Sequence, residues 1–104
     1  MTAWVLLFAA APDGPKAVAD AYHDISRRLC GTPGLVRNTL LELVDSPGRF
    51  VVASEWTSLS AFRAWEEGAD HRRLTAPLRP YHDRAMGGGY GIYEVTAEYR
   101  SLGS

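Results

Sequence analysis

The sequence predicts an α+β protein with the element order β-α-β-β-α-β. Three observations carry this expectation. Apolar β-rich runs alternate with amphipathic helical stretches in that order, clusters of Pro, Gly, Asp and Ser separate them, and 104 residues leave room for one domain.

Trp4 to Ala9 is a continuous apolar run bounded by Pro12-Asp13-Gly14-Pro15, and it reads as the first strand. Asp13 or Gly14 can cap the helix that follows, with Pro15 in its first turn, where a missing N–H costs nothing. Val18, Ala21, Tyr22, Ile25 and Leu29 recur at helical spacing, while Lys16, Asp20, Asp24, Arg27 and Arg28 occupy the other side. Asp24 and Arg28 also suit an i,i+4 ion pair. Gly31 ends the helix, and Thr32-Pro33-Gly34 turns the chain.

Leu35 to Val44 and Arg49 to Trp56 are two β-rich runs joined by Asp45-Ser46-Pro47-Gly48, which predicts a hairpin with a tight Pro-Gly turn. Pairing Ser46 with Arg49 sets Leu43 opposite Val52, Leu41 opposite Ser54 and Thr39 opposite Trp56 on one face. Val36, Leu40, Val44, Val51 and Ala53 then share the other, with Asn38, Glu42 and Glu55 among them. Ser58 suits the N-cap of a second helix with Leu59, Phe62 and Trp65 on one stripe. Gly68 interrupts it, and a further segment starts near Asp70, with Leu74, Leu78 and Tyr81 at helical spacing and an end made irregular by Pro77 and Pro80. Gly87-Gly88-Gly89 leads into a last strand, Tyr90 to Tyr99. Residues 1–99 thus form one domain and residues 100–104 a tail. This order is the ferredoxin-like arrangement, with a four-stranded antiparallel sheet.

Helices can cover one side of such a sheet, and the other side should normally read polar. Here both parities are apolar: Trp4, Leu6 and Phe8 on one, Val5, Leu7 and Ala9 on the other, with the hairpin repeating the pattern. Apolar burial stabilises by roughly 25 cal/mol per Å², so the uncovered side drives association. A second copy related by a two-fold axis is the simplest cover, which predicts a homodimer with two sheets facing each other as a barrel.

Composition narrows the function classes. A net charge of -1 supplies no field for nucleic acid or acidic membrane. The single cysteine, Cys30, has no internal partner and fits a reducing compartment. The first residues lack the basic region of a signal peptide, and no apolar run approaches the roughly twenty residues that span a bilayer, so a cytoplasmic location is expected. No Cys pair and no His-x-x-x-His is present, which argues against a metal site, and His23 and His82 have no partner at ligand spacing. Gly87 to Gly89 lack the Lys, Ser or Thr of a phosphate loop, and no nucleophile-elbow motif occurs.

Gly31-Thr32-Pro33-Gly34-Leu35, the hairpin, and Ser54-Glu55-Trp56-Thr57-Ser58-Leu59-Ser60-Ala61-Phe62-Arg63-Ala64-Trp65 through His71 form an ordered set. In this order they resemble the antibiotic-biosynthesis monooxygenase family of dimeric α+β barrels. Its members show a G-x-x-G before the second strand, a strand ending in Glu-Trp, a Ser-capped helix with Ala followed by an apolar residue, and a His soon after. The resemblance spans Trp4 to Val95. It implies one of several activities: cofactor-independent oxygenation of phenolic polyketides to quinones, quinol oxygenation, or haem degradation. Trp56 matches the tryptophan that lines the pocket in the quinone-forming and haem-degrading branches, and His71 matches the histidine that ligates iron in haem degraders. The Asn that haem degraders keep in strand one is absent, and Val52 and Phe62 stand where the best-known quinone-forming type has Asn and Tyr.

The residue chemistry yields the following expectations. His71 can take a phenolic proton, since imidazole titrates near neutrality, or can be a surface histidine at a helix start. Trp56, the second candidate catalytic residue, can wall an aromatic substrate or simply pack in the core. Phe8, Tyr22, Phe62, Trp65, Leu74 and Tyr81 are expected to line the same interior. Thr39, Ser54 and Arg37 share the Trp56 face in the register above, where the guanidinium can steady a phenolate or instead reach solvent. Arg72, Arg73, Arg79 and Arg84 read as a charged helix face or a local basic patch. The leading expectation is a cofactor-independent monooxygenase taking a small aromatic polyketide-like phenol or hydroquinone and molecular oxygen. An aromatic polyketide cyclase, a haem-binding or haem-degrading protein, and a non-catalytic ligand-binding dimer are the alternatives.

Overall fold

The computed structural model describes residues 2–11, 14–68, 76–81, 83 and 90–102. In chain order the elements are β1 (Ala3–Ala10), α1 (Pro15–Leu29), β2 (Leu35–Glu42), β3 (Arg49–Trp56), α2 (Leu59–Glu66), a 3₁₀ helix (Ala76–Tyr81) and β4 (Tyr90–Glu94). The strands pair antiparallel in the order β2-β3-β1-β4. β3 lies between β1 and β2, which is the split β-α-β of the ferredoxin-like arrangement. The expected fold class is therefore the observed one.

Local chemistry explains most boundaries. α1 starts at Pro15 behind Gly14, and ion pairs at i,i+4 join Lys16 to Asp20 (3.0 Å) and Arg28 to Asp24 (3.1 Å) along its exposed side. Asp13, the other candidate cap, lies outside the described residues. Beyond α1, Gly31 takes a φ of 86°, the left-handed conformation that relieves a helix end. Gly34 has a φ of 84°, and a Cβ there would lie 2.5 Å from the Ala61 Cβ. Glycine is thus required at Gly34 twice over, by backbone handedness and by the close approach of α2. Thr57 N–H donates to the Gly34 carbonyl at 2.8 Å, and Ser58 caps α2 as its hydroxyl accepts from the Ala61 N–H at 3.1 Å.

The hairpin corrects the expected register. The Ser46–Arg49 turn is present, with Arg49 N–H donating to the Ser46 carbonyl at 3.2 Å. A second turn precedes it, Ser46 N–H to the Leu43 carbonyl at 3.1 Å, so Leu43 bonds to Arg49 and Leu41 faces Val51. Thr39 faces Ala53 and Leu35 faces Trp56, with an irregularity between Leu35 and Arg37. The offset is odd, so side chains expected on one face lie on the other. β4 is also shorter than expected. Its partner β1 ends at Ala3, opposite Glu94, and a last bond joins Val95 N–H to the Thr2 carbonyl at 2.8 Å. Among the described residues no strand pairs with Thr96 onward, and Tyr99 and Leu102 are 99% exposed. The segment expected from Asp70 is, within the described residues, the 3₁₀ helix with Pro80 inside it.

Two apolar clusters lie between sheet and helices. The first joins Ala9, Phe50, Val18, Ile25, Leu29 and Leu78; the second joins Ala3, Val5, Trp56 and Phe62; Leu35 and Trp65 touch both. The opposite face carries Trp4, Leu6 and Phe8 beside Val51, Ala53, Leu41 and Tyr93. No described helix covers that face, and Leu41 and Tyr93 are each about half exposed. Arg49 binds the Asp83 carboxylate through Nη2 (2.7 Å) and Nε (3.2 Å), while Asp83 N–H donates to the Phe8 carbonyl at 2.8 Å. Tyr90, which opens β4, faces Leu7 on the same strand.

Candidate active site

On the helix side, β2 and β3 present four rungs in sequence: Glu42 with Phe50, Leu40 with Val52, Asn38 with Ser54, and Leu35 with Trp56. Trp56 is 1% exposed, and its Nε1–H donates to Ser54 Oγ at 3.0 Å. The Ser54 hydroxyl in turn reaches the Val5 carbonyl at 3.5 Å. With its only donor used within the fold and its ring sealed from solvent, Trp56 is a packed core aromatic. Phe62 stands edge-on to it with ring centroids 5.4 Å apart, and Trp65 tilts against it at 5.4 Å. Such spacings add aromatic attraction to simple burial.

One rung along, a polar seam joins α1 to β2. The Tyr22 hydroxyl donates to the Asn38 carbonyl at 2.8 Å, and Asn38 Nδ2 donates to Ser26 Oγ at 2.9 Å. Asn38 Oδ1 is sealed from solvent and accepts no hydrogen bond. An unmet buried acceptor costs about 1–3 kcal/mol, so this atom works against the fold. Two rungs further, a cleft of about 440 Å³ lies between the first turns of α1 and the β2–β3 end, lined by Pro15, Lys16, Ala19, Leu40, Glu42 and Phe50. That volume is within the range of small-molecule sites.

Of the residues expected to share the site, Tyr22, Ser54, Trp56, Phe62 and Trp65 do lie together on the helix side, and Tyr81 packs against the first cluster there. Phe8, Thr39 and Arg37 do not. The register places all three on the far face of the sheet, where Phe8 faces Val51 and Arg37 binds Glu55 at 2.8 Å. Arg37 is therefore no phenolate clamp beside Trp56, and Phe8 is no wall of that interior. His71 and Leu74 lie outside the described residues, as do His82, Arg72, Arg73, Arg84 and Gly87 to Gly89. His23 is exposed and stands edge-on to Tyr22 at 5.3 Å. Among the described residues no three His, Cys, Asp or Glu side chains group as metal ligands. Asn38 and Ser26 were missed as site residues. The signal was an asparagine inside a strand, a residue type strands disfavour.

Among the described residues no charged or polar residue is wholly buried. No described helix is long and apolar enough to cross a membrane.

The family model for antibiotic biosynthesis monooxygenases matches residues 1–76, and the chain belongs to that family. Over 90 residues it is 33% identical to Protein SchA of Streptomyces halstedii, an overlap of 86% of this chain and 24% of SchA. The chain thus spans about a quarter of that relative's length. SnoaB, a cofactor-independent oxygenase from Streptomyces nogalater, superposes with a TM-score of 0.62 at 24% identity, covering 99% of this chain and 97% of its own. A haem-degrading protein from Mycobacterium tuberculosis gives 0.69 at 19% identity, covering 96% and 100%. Both likenesses are of fold.

Proposed function

We propose that the protein is a cofactor-independent monooxygenase that oxidises an aromatic, polyketide-type phenol or hydroquinone with molecular oxygen, as a homodimer. The family match over residues 1–76 carries this reading. The aromatic helix-side interior supports it, as does the likeness to SnoaB, an oxygenase that needs no cofactor.

The chemistry asks little of the protein. An anthrone, once deprotonated to the phenolate of its enol tautomer, is electron-rich enough to pass an electron to oxygen. The resulting radicals join as a hydroperoxide on carbon, and loss of water leaves a carbonyl. One oxygen atom stays in the product; the other leaves as water with the two hydrogens of the oxidised carbon, so no outside reductant is consumed. Trp56, Phe62 and Trp65 supply a dry flat wall, and His71, or a water it holds, takes the proton. The bare apolar face around Trp4, Leu6 and Phe8 is covered by a second copy, sheet against sheet. The lone Cys30 suits a reducing compartment, and the reading includes a cytoplasmic location.

An oxygen electrode with anthrone as substrate tests this. Uptake is expected to fall at least about tenfold in His71→Ala and in Trp56→Ala, a barrier increase of about 1.4 kcal/mol or more. Unchanged uptake in both variants removes these residues from the reaction. Product that still forms under argon replaces oxygenation with cyclisation.

A further inference from the structure

The orphan acceptor in the α1–β2 seam has no role in holding the fold together. Asn38 spends its Nδ2 on Ser26 and its carbonyl on Tyr22, yet Oδ1 is buried with nothing to bond. A leucine at this position would extend the apolar row that Leu40 and Leu35 begin and would strand no acceptor. The amide lies one rung beyond Leu40, and the cleft between α1 and β2 ends on Leu40 and Phe50. On its other side Asn38 faces Ser54, whose hydroxyl is held by Trp56. The apolar floor of the cleft thus stops one rung short of a single unpaired, buried acceptor, with the aromatic cluster beyond it. β2 is an edge strand, so parting it from α1 disturbs only one neighbouring strand.

We propose that this seam binds a hydroxylated aromatic ring, whose hydroxyl donates its hydrogen to Asn38 Oδ1 while the ring lies against Leu40 and Phe50. The choice of an aromatic ligand rests on the function proposed above; the choice of a hydroxyl rests on the acceptor alone. The site therefore discriminates by hydrogen-bond donation: a phenol satisfies Oδ1, and its methyl ether leaves it unmet.

The test uses the full chain and a matched pair of probes, 2-naphthol and 2-methoxynaphthalene, neither of which needs to turn over. Calorimetric titration is expected to show 2-naphthol binding about tenfold tighter or more, and the preference should vanish in Asn38→Leu. In the unaltered protein, 2-naphthol should shift the Asn38 side-chain amide signals in ¹⁵N-resolved NMR, and the ether should leave them near their free positions. Equal affinities for the two probes, binding of neither, or a preference that survives in a folded Asn38→Leu would overturn the site. The two proposals fail separately. Anthrone oxidation without a naphthol preference sinks the Asn38 site alone, whereas the preference without oxygen uptake sinks the oxygenase reading and keeps the site.

Discussion

The two faces of the sheet are built from similar side chains and meet different fates. On the helix side, Ala3, Val5, Ala9, Phe50 and Trp56 are buried by α1, α2 and the 3₁₀ helix. On the other, Trp4, Leu6, Phe8, Val51 and Leu41 form an equally apolar surface that no described helix covers. The polar groups differ as well. The covered face hides Asn38 and Ser54 among its apolar rungs, whereas the bare face holds its charges in pairs, Arg37 with Glu55 near the Trp4 end and Arg49 with Asp83 at the other end. The contrast teaches that hydrophobicity alone does not mark a core. The covered face is a finished interior with one unmet acceptor, and the bare one is a surface fit for assembly.

Three changes can break or sharpen that contrast. The largest effect is expected from Trp56→Ala, which empties the centre of the second cluster and should lower unfolding free energy by about 3–5 kcal/mol in urea titration. A loss under about 1 kcal/mol would mean that the covered face is not a packed interior. Next comes Gly34→Ala. Left-handed backbone and the collision with Ala61 together should cost about 2–4 kcal/mol. Adding Ala61→Gly should return part of that loss, and a purely additive double variant would show that the two residues do not touch. The smallest effect on the protomer is expected from Leu41→Lys on the bare face. Measured at a dilution where protomers are separate, its unfolding free energy should change by about 0.5 kcal/mol or less. In sedimentation at micromolar concentration the same change should shift the population from dimer to monomer, and an unaltered assembly would remove this face from the interface.

Much of the fold was legible in the sequence because it is set by local chemistry. β3 has the expected bounds, α1 opens at Pro15 with its Asp24–Arg28 pair in place, and Ser58 caps α2. The motif pair Gly31-x-x-Gly34 and Ser58-x-x-Ala61-Phe62 also gains a physical reason: Gly34 and Ala61 are the two sides of one close approach, which no larger side chain fits. The hairpin register was not legible. Pro47-Gly48 gave the right turn, but the additional turn at Leu43 to Ser46 depends on the Glu42 carboxylate reaching Gly48 N–H at 3.1 Å and on Gly48 bonding to Ala11. Those contacts join segments distant in sequence or use a side chain's reach, and no spacing rule anticipates them. The cost fell on the site. An odd offset moved Arg37 and Thr39 to the wrong side and hid Asn38, whose partners Tyr22 and Ser26 sit on α1, sixteen and twelve positions away in the chain.

The Arg49–Asp83 contact carries a consequence for how the chain can vary. Asp83 is tethered to Phe8 and Tyr90 is aligned with Leu7, so the chain leaves β1 and rejoins it at adjoining residues. The connection between those anchors therefore begins and ends at almost the same place, and its closure cost rises only with the logarithm of its length. That stretch can therefore be lengthened or recomposed with little penalty to the sheet.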